Sequence, residues 1–174
     1  MSRSSSPIIH AFTTKFDGRS SKLTNSVQVE YSGKSFEALA LWDTGATGTC
    51  LSKEAVNALD LVPTGKIEMK TPSGTSEVST YLVDLVLQNQ VRVTDVQVCE
   101  SEIGEQGIGA LIGMDIITMG DFAVSNRDGK TCFSFRIPSI KRTDYVDEVR
   151  AQNIIGQKHG PGKHKSKSKK NNKH

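Results

Sequence analysis

The chain has 174 residues, 36% hydrophobic, 6% aromatic and 24% charged, a profile for one modest globular domain with polar length to spare. Large multidomain architectures are excluded, and with no run of eighteen apolar residues and no apolar stretch behind the serine-rich start, neither a membrane span nor a secretory signal is visible. The expected location is therefore cytoplasmic. The formal charge of +3 hides an asymmetry: Lys158, Lys163, Lys165, Lys167, Lys169, Lys170 and Lys173 crowd the last seventeen residues, so the body before them is mildly acidic. That tail carries no large apolar residue, and Gly156 to His174 is expected to be disordered. It could touch a polyanion through Lys158–Lys173, by counterion release and without sequence readout.

Residues 1–25 read as a flexible N-terminal extension, although Ile8, Ile9, Phe12 and Phe16 could pack. From Ser26 the period becomes two: Val27, Val29 and Tyr31 alternate with polar residues, Ser32-Gly33-Lys34 supplies a turn, and a second strand runs from Ser35 to Trp42. After a loop at Asp43 to Thr47, Lys53 to Leu59 carries helical spacing with Ser52 as its cap. Ile67 and Met69 then lead through Pro72-Ser73-Gly74 into Val78 to Leu87, whose Tyr81, Val83, Leu85 and Leu87 share one face. A strand around Val91 to Val98 follows, then a glycine-containing loop and the apolar Ala110-Leu111-Ile112. Met114 to Met119 suits one or two helical turns, and Phe122 to Ser125 pairs through Asn126–Gly129 with Thr131 to Ile137. Short strands punctuated by turns specify a mainly β barrel or sandwich with little helix. Residues 26–140 form the domain and residues 141–174 a C-terminal extension.

The chemistry narrows by exclusion. The four histidines are His10, His159, His164 and His174, so residues 26–140 hold no base for a Ser-His or Cys-His nucleophile. Cys50, Cys99 and Cys132 are dispersed without a CxxC pair, which speaks against a disulfide framework and a zinc knuckle and favours incidental thiols. No phosphate-cradling glycine motif is present. Carboxylate chemistry remains.

Ala40-Leu41-Trp42-Asp43-Thr44-Gly45-Ala46-Thr47 sets an aspartate at the end of an apolar strand, followed by a hydroxyl, a glycine and a small residue. Roughly 70 residues on comes Ala110-Leu111-Ile112-Gly113-Met114-Asp115, with the Met69 to Val78 hairpin between the two. In order, spacing and type the chain resembles the retropepsin-like (retroviral-type) aspartic proteases over about Ser26 to Ile137. The resemblance implies a closed β-barrel of the single-domain type with one or two short helices. It implies Asp43 as the catalytic carboxylate, Thr44, Gly45 and Ala46 as its loop support, and Pro72, Ser73, Gly74 and Thr75 as a flap. Leu111, Ile112 and Gly113 become the segment packed behind the loop. No metal or cofactor is required. Asp43 is the sole aspartate followed by Thr/Ser-Gly, so one chain holds half a site, and a homodimer acting on a peptide or protein substrate is implied. Two departures stand out: the hairpin tip has one glycine where retroviral flaps carry several, and the chain runs well past both ends of the domain. The alternatives are a non-catalytic dimerisation or peptide-binding module of the same fold, and a small β-barrel that binds nucleic acid through its basic tail.

Overall fold

The computed structural model describes residues 8–71, 74–104 and 107–158. Two compact units divide the chain at Ile140. In the first, strand β1 (His10–Lys15) is followed by β2 (Thr24–Tyr31), β3 (Lys34–Trp42) and β4 (Cys50–Ser52), then helix α1 (Lys53–Ala58). Strands β5 (Gly65–Thr71), β6 (Gly74–Val86), β7 (Arg92–Ser101) and β8 (Ala110–Ile112) come next. Helix α2 (Met114–Ile117), β9 (Asp121–Ser125) and β10 (Cys132–Ile137) complete the unit.

The expected barrel is present. Strands β2, β3, β8, β4, β7 and β6 pair in that order, and pairing of β2 with β6 closes the ring, so the barrel proper has no open edge. Alternation decides what faces inward. Val27 and Val29 of β2, and Tyr81, Val83 and Leu85 of β6, are all buried, while the residues between them are polar or exposed. The β2–β3 hairpin turns on Ser32 and Gly33, both at positive φ (47° and 78°), the primed turn that matches strand twist. Helix α1 starts where its sequence allows: the Ser52 side chain accepts a hydrogen bond from Ala55 N at 3.2 Å, satisfying one orphan donor of the first turn.

β5 lies outside the ring. The first half of β6 pairs with β5 alone, from Thr71↔Gly74 to Gly65↔Thr80, and from Thr80 onward β6 pairs with β7. The hairpin therefore projects as a two-stranded ribbon rooted at Thr80. Pro72 and Ser73, at its tip, lie outside the described residues.

The expectation for the N-terminal segment needs correction. Residues before Ser26 are not a loose extension: β1 pairs along its whole length with β10, and β10 with β9, in a three-stranded sheet. Burial is the reason. Phe12 is enclosed with Phe133 and Phe135, and all three rings stand within 6.0 Å of the Trp42 ring. Thr24 and Asn25 already belong to β2.

The second unit also departs from expectation. Helix α3 (Tyr145–Lys158) occupies part of the C-terminal extension and includes Gly156 to Lys158, where composition predicts disorder. Its cause is local. Asp144 Oδ1 accepts from Val146 N at 3.0 Å and Asp147 N at 3.3 Å, and Asp147 and Glu148 set negative charge in the first turn. The rest of the lysine tail, residues 159–174, on which the polyanion expectation falls, lies outside the described residues. No helix among the described residues is long and apolar enough to cross a membrane.

Candidate active site

Asp43 follows the last residue of β3, and that strand is anchored immediately before it. Trp42 is buried, its ring stacks on Phe122 at 5.7 Å, and its Nε1 donates to Asn25 Oδ1 at 2.8 Å. A buried indole with its one donor satisfied cannot slide without losing both packing and a hydrogen bond. The next peptide is held as well, because Asp43 N donates to Ile112 O at 3.0 Å, extending the parallel β3–β8 pairing by one bond.

From there the chain turns sharply. Gly45 N donates to Asp43 Oδ1 at 2.8 Å and Ala46 N to Asp43 O at 3.2 Å. These bonds fix one carboxylate oxygen to the backbone; among the described residues Oδ2 makes no hydrogen bond within the chain. Glycine suits position 45, since a Cβ there would stand 3.1 Å from Asp43 Oδ1. Asp43 is half-buried, whereas Thr44 and Gly45 are exposed and the Thr44 hydroxyl has no hydrogen-bond partner among the described residues. A cleft of about 360 Å³ opens beside Asp43, lined by Lys22, Leu23, Trp42, Thr44, Phe122 and Val124 among others.

Behind the loop sits the apolar-Gly segment. Gly113 lies so close to the loop backbone that a Cβ would come within 2.5 Å of Gly48 O, and Met114 N donates to Ala46 O at 2.9 Å. Leu111 is half-buried beside Leu41, and Ile112 is fully buried beside Trp42, each as a register partner in the β3–β8 pair. Asp43, Thr44, Gly45, Ala46, Leu111, Ile112 and Gly113 thus converge on one loop and its backing. Gly74 and Thr75 stand instead on the projecting hairpin arm, and Pro72 and Ser73 are outside the described residues.

Reasoning from sequence missed the clasp between loop and backing. Thr49, 1% exposed, donates its N–H to Asp115 Oδ2 at 3.0 Å and its hydroxyl to Asp115 Oδ1 at 2.8 Å, and that hydroxyl accepts from Gly113 N at 3.2 Å. One threonine and one carboxylate therefore tie the loop's exit to the start of α2, neutralising donors that burial would otherwise strand. The signal was the position of Asp115, two residues past the glycine. A second omission is the meeting of Cys50 and Cys99, register partners across the parallel β4–β7 pair, with sulfurs 2.6 Å apart.

A family model described as aspartyl protease matches residues 27–116. Among solved structures the chain is similar to a retropepsin-like aspartic protease from Rickettsia conorii, at 13% identity and a TM-score of 0.50, covering 76% of this chain and 98% of that one. It is also similar to the EIAV protease complexed with the inhibitor HBY-793 (18% identity, 55% of this chain and 85% of that one, TM-score 0.43). A third is the retroviral protease-like domain of Ddi1 from Leishmania major (12% identity, 70% and 97% covered, TM-score 0.40). At such identities the likeness concerns the fold. No curated protein matches the chain significantly.

Proposed function

The chain belongs to the aspartyl protease family, and from that premise we propose that it is an aspartic endopeptidase whose active form is a homodimer, with Asp43 of two chains sharing one catalytic water. Peptide hydrolysis without a covalent intermediate needs one group to take a proton from water and another to give a proton to the carbonyl oxygen or the leaving amine. Two carboxylates about 3 Å apart cannot both ionise, so the pair holds a single proton and supplies both functions, as is general for aspartic proteases. The split belongs to the pair and not to either chain.

The observation that carries the proposal is the way the loop is presented. Asp43 is half-buried with Oδ1 pinned by Gly45 N, while Thr44 and Gly45, the residues that would meet their own copies near a two-fold axis, are exposed. Thr44 then bonds to the partner loop and keeps the two carboxylates level, and Gly45 lets backbone and substrate approach. An extended peptide lies over the pair with the β5–β6 hairpin covering it, its main chain bonded like an added strand.

The test is cleavage of a denatured protein between pH 4 and 7 by wild type and Asp43→Asn. Wild type alone cleaves, and the variant loses about 10⁴-fold or more, the scale of a lost acid–base group. Equal cleavage by the two would remove Asp43 from catalysis, and cleavage by neither would favour the non-catalytic alternative.

A further inference from the structure

We propose that Cys50 and Cys99 form a reversible intrachain disulfide that joins the strand leaving the Asp43 loop to the root of the β5–β6 hairpin. The two residues are direct register partners on parallel strands, and their sulfurs are 2.6 Å apart in the thiol form. Paired residues on neighbouring strands lie about 4.8 Å apart, inside the Cα separation that a disulfide bridges without moving backbone.

The surroundings favour oxidation of this pair over Cys132. Cys99 N donates to Thr49 O at 3.2 Å, which holds the two strands in register at the cysteines. A cleft of about 420 Å³, lined by Gly48, Thr49, Thr80, Cys99 and Asp115 among others, opens onto Cys99, so a small oxidant has a path to a thiol that is otherwise buried. The hydrogen bond from Cys50 holds the Cys99 thiol below its ordinary value, and the same contact, with burial, pushes Cys50 up. Cys99 is accordingly the more readily ionised of the two and the better placed to attack an oxidant, with Cys50 adjacent to resolve the product.

With a peroxide as oxidant the steps balance. The Cys99 thiolate attacks one peroxide oxygen, the O–O bond breaks, and with a proton the products are the Cys99 sulfenic acid and water. The Cys50 sulfur then displaces the sulfenic oxygen, the S–S bond forms, and a second water leaves with the Cys50 proton. Each sulfur gives up one electron to the peroxide, and a dithiol reverses the result.

The position gives the bond mechanical meaning. Cys99 pairs with Cys50 on one side and with Thr80 on the other, and Thr80 is where β6 passes from the projecting ribbon into the barrel. Oxidation therefore fastens the site's floor to the base of its cover. Any effect on turnover rests on the proposed function; formation of the bond does not.

The experiment exposes the full chain to hydrogen peroxide, unfolds it and alkylates the remaining thiols before mass analysis. Two of the three alkylatable thiols are lost, the unalkylated mass falls by two hydrogens, and a tryptic digest joins residues 35–53 to residues 93–127. Dithiothreitol restores all three. The same loss occurs in Asp43→Asn, which separates this result from the fate of the catalytic reading. Cys132→Ser keeps the response, and Cys50→Ser and Cys99→Ser abolish it. Persistence of three alkylatable thiols, gain of oxygen at Cys99 without a link to Cys50, or a bridge through Cys132 would overturn the proposal, and these wild-type readouts stand even where a serine variant does not fold.

Discussion

In the proposed enzyme the loop at Asp43 and the hairpin of β5 and β6 serve one site, yet they are held by opposite means. The loop is clasped from behind: Gly113 stands against Gly48, Thr49 is bound to Asp115, and Trp42 is seated among the aromatic rings. The hairpin arms carry little buried surface. Residues 74–77 are exposed, and the Lys66–Glu77 ion pair that bridges the arms has both side chains more than 60% exposed. On the proposed function, the loop must hold two carboxylates to a fraction of an ångström and so needs the first construction, and the hairpin must admit a polypeptide and so needs the second.

Substitutions can break that contrast or sharpen it. Gly113→Ala has the largest expected effect, because its Cβ meets backbone, not a movable side chain, and the loop must shift bodily. A loss of about 3 kcal/mol in urea unfolding is expected, the upper end for overpacking. Thr49→Val comes next. It keeps the volume but strips Asp115 of a hydroxyl donor and Gly113 N of its acceptor, costing about 2 kcal/mol by the same measurement. Lys66→Ala should be nearly silent, at about 0.5 kcal/mol or less, since an exposed ion pair is screened by solvent and salt. A hairpin variant as costly as the loop variants would erase the distinction.

What could be read from the chain alone follows the same divide between local and distant causes. Strands with strict alternation, such as Val27 to Tyr31 and Tyr81 to Leu87, and the helix capped by Ser52, declare themselves within a few residues. So does Asp43-Thr44-Gly45, whose chemistry is written in consecutive positions. β1 did not: Phe12 is its one buried residue, and its pairing partner β10 lies more than a hundred residues away. Helix α3 escaped because its apolar residues, among them Val146, Val149, Ile154 and Ile155, are exposed, so no buried face produced a pattern, and the cap at Asp144 and the Asp147 and Glu148 of the first turn were the local cues. The Thr49–Asp115 clasp and the Cys50–Cys99 contact join residues 66 and 49 positions apart, and only the pairing of β4 with β7 and β8 brings them together.

The central claim is that catalysis needs an intact Asp43 from each of two chains. Mixing tests it most directly: wild type at fixed concentration is allowed to exchange subunits with an equal amount of Asp43→Asn, and peptide cleavage is measured. Random pairing places about half of the wild-type chains in mixed, inactive dimers, so activity should fall to about one half and continue falling as variant is added. Activity that stays unchanged at every ratio would contradict the shared site.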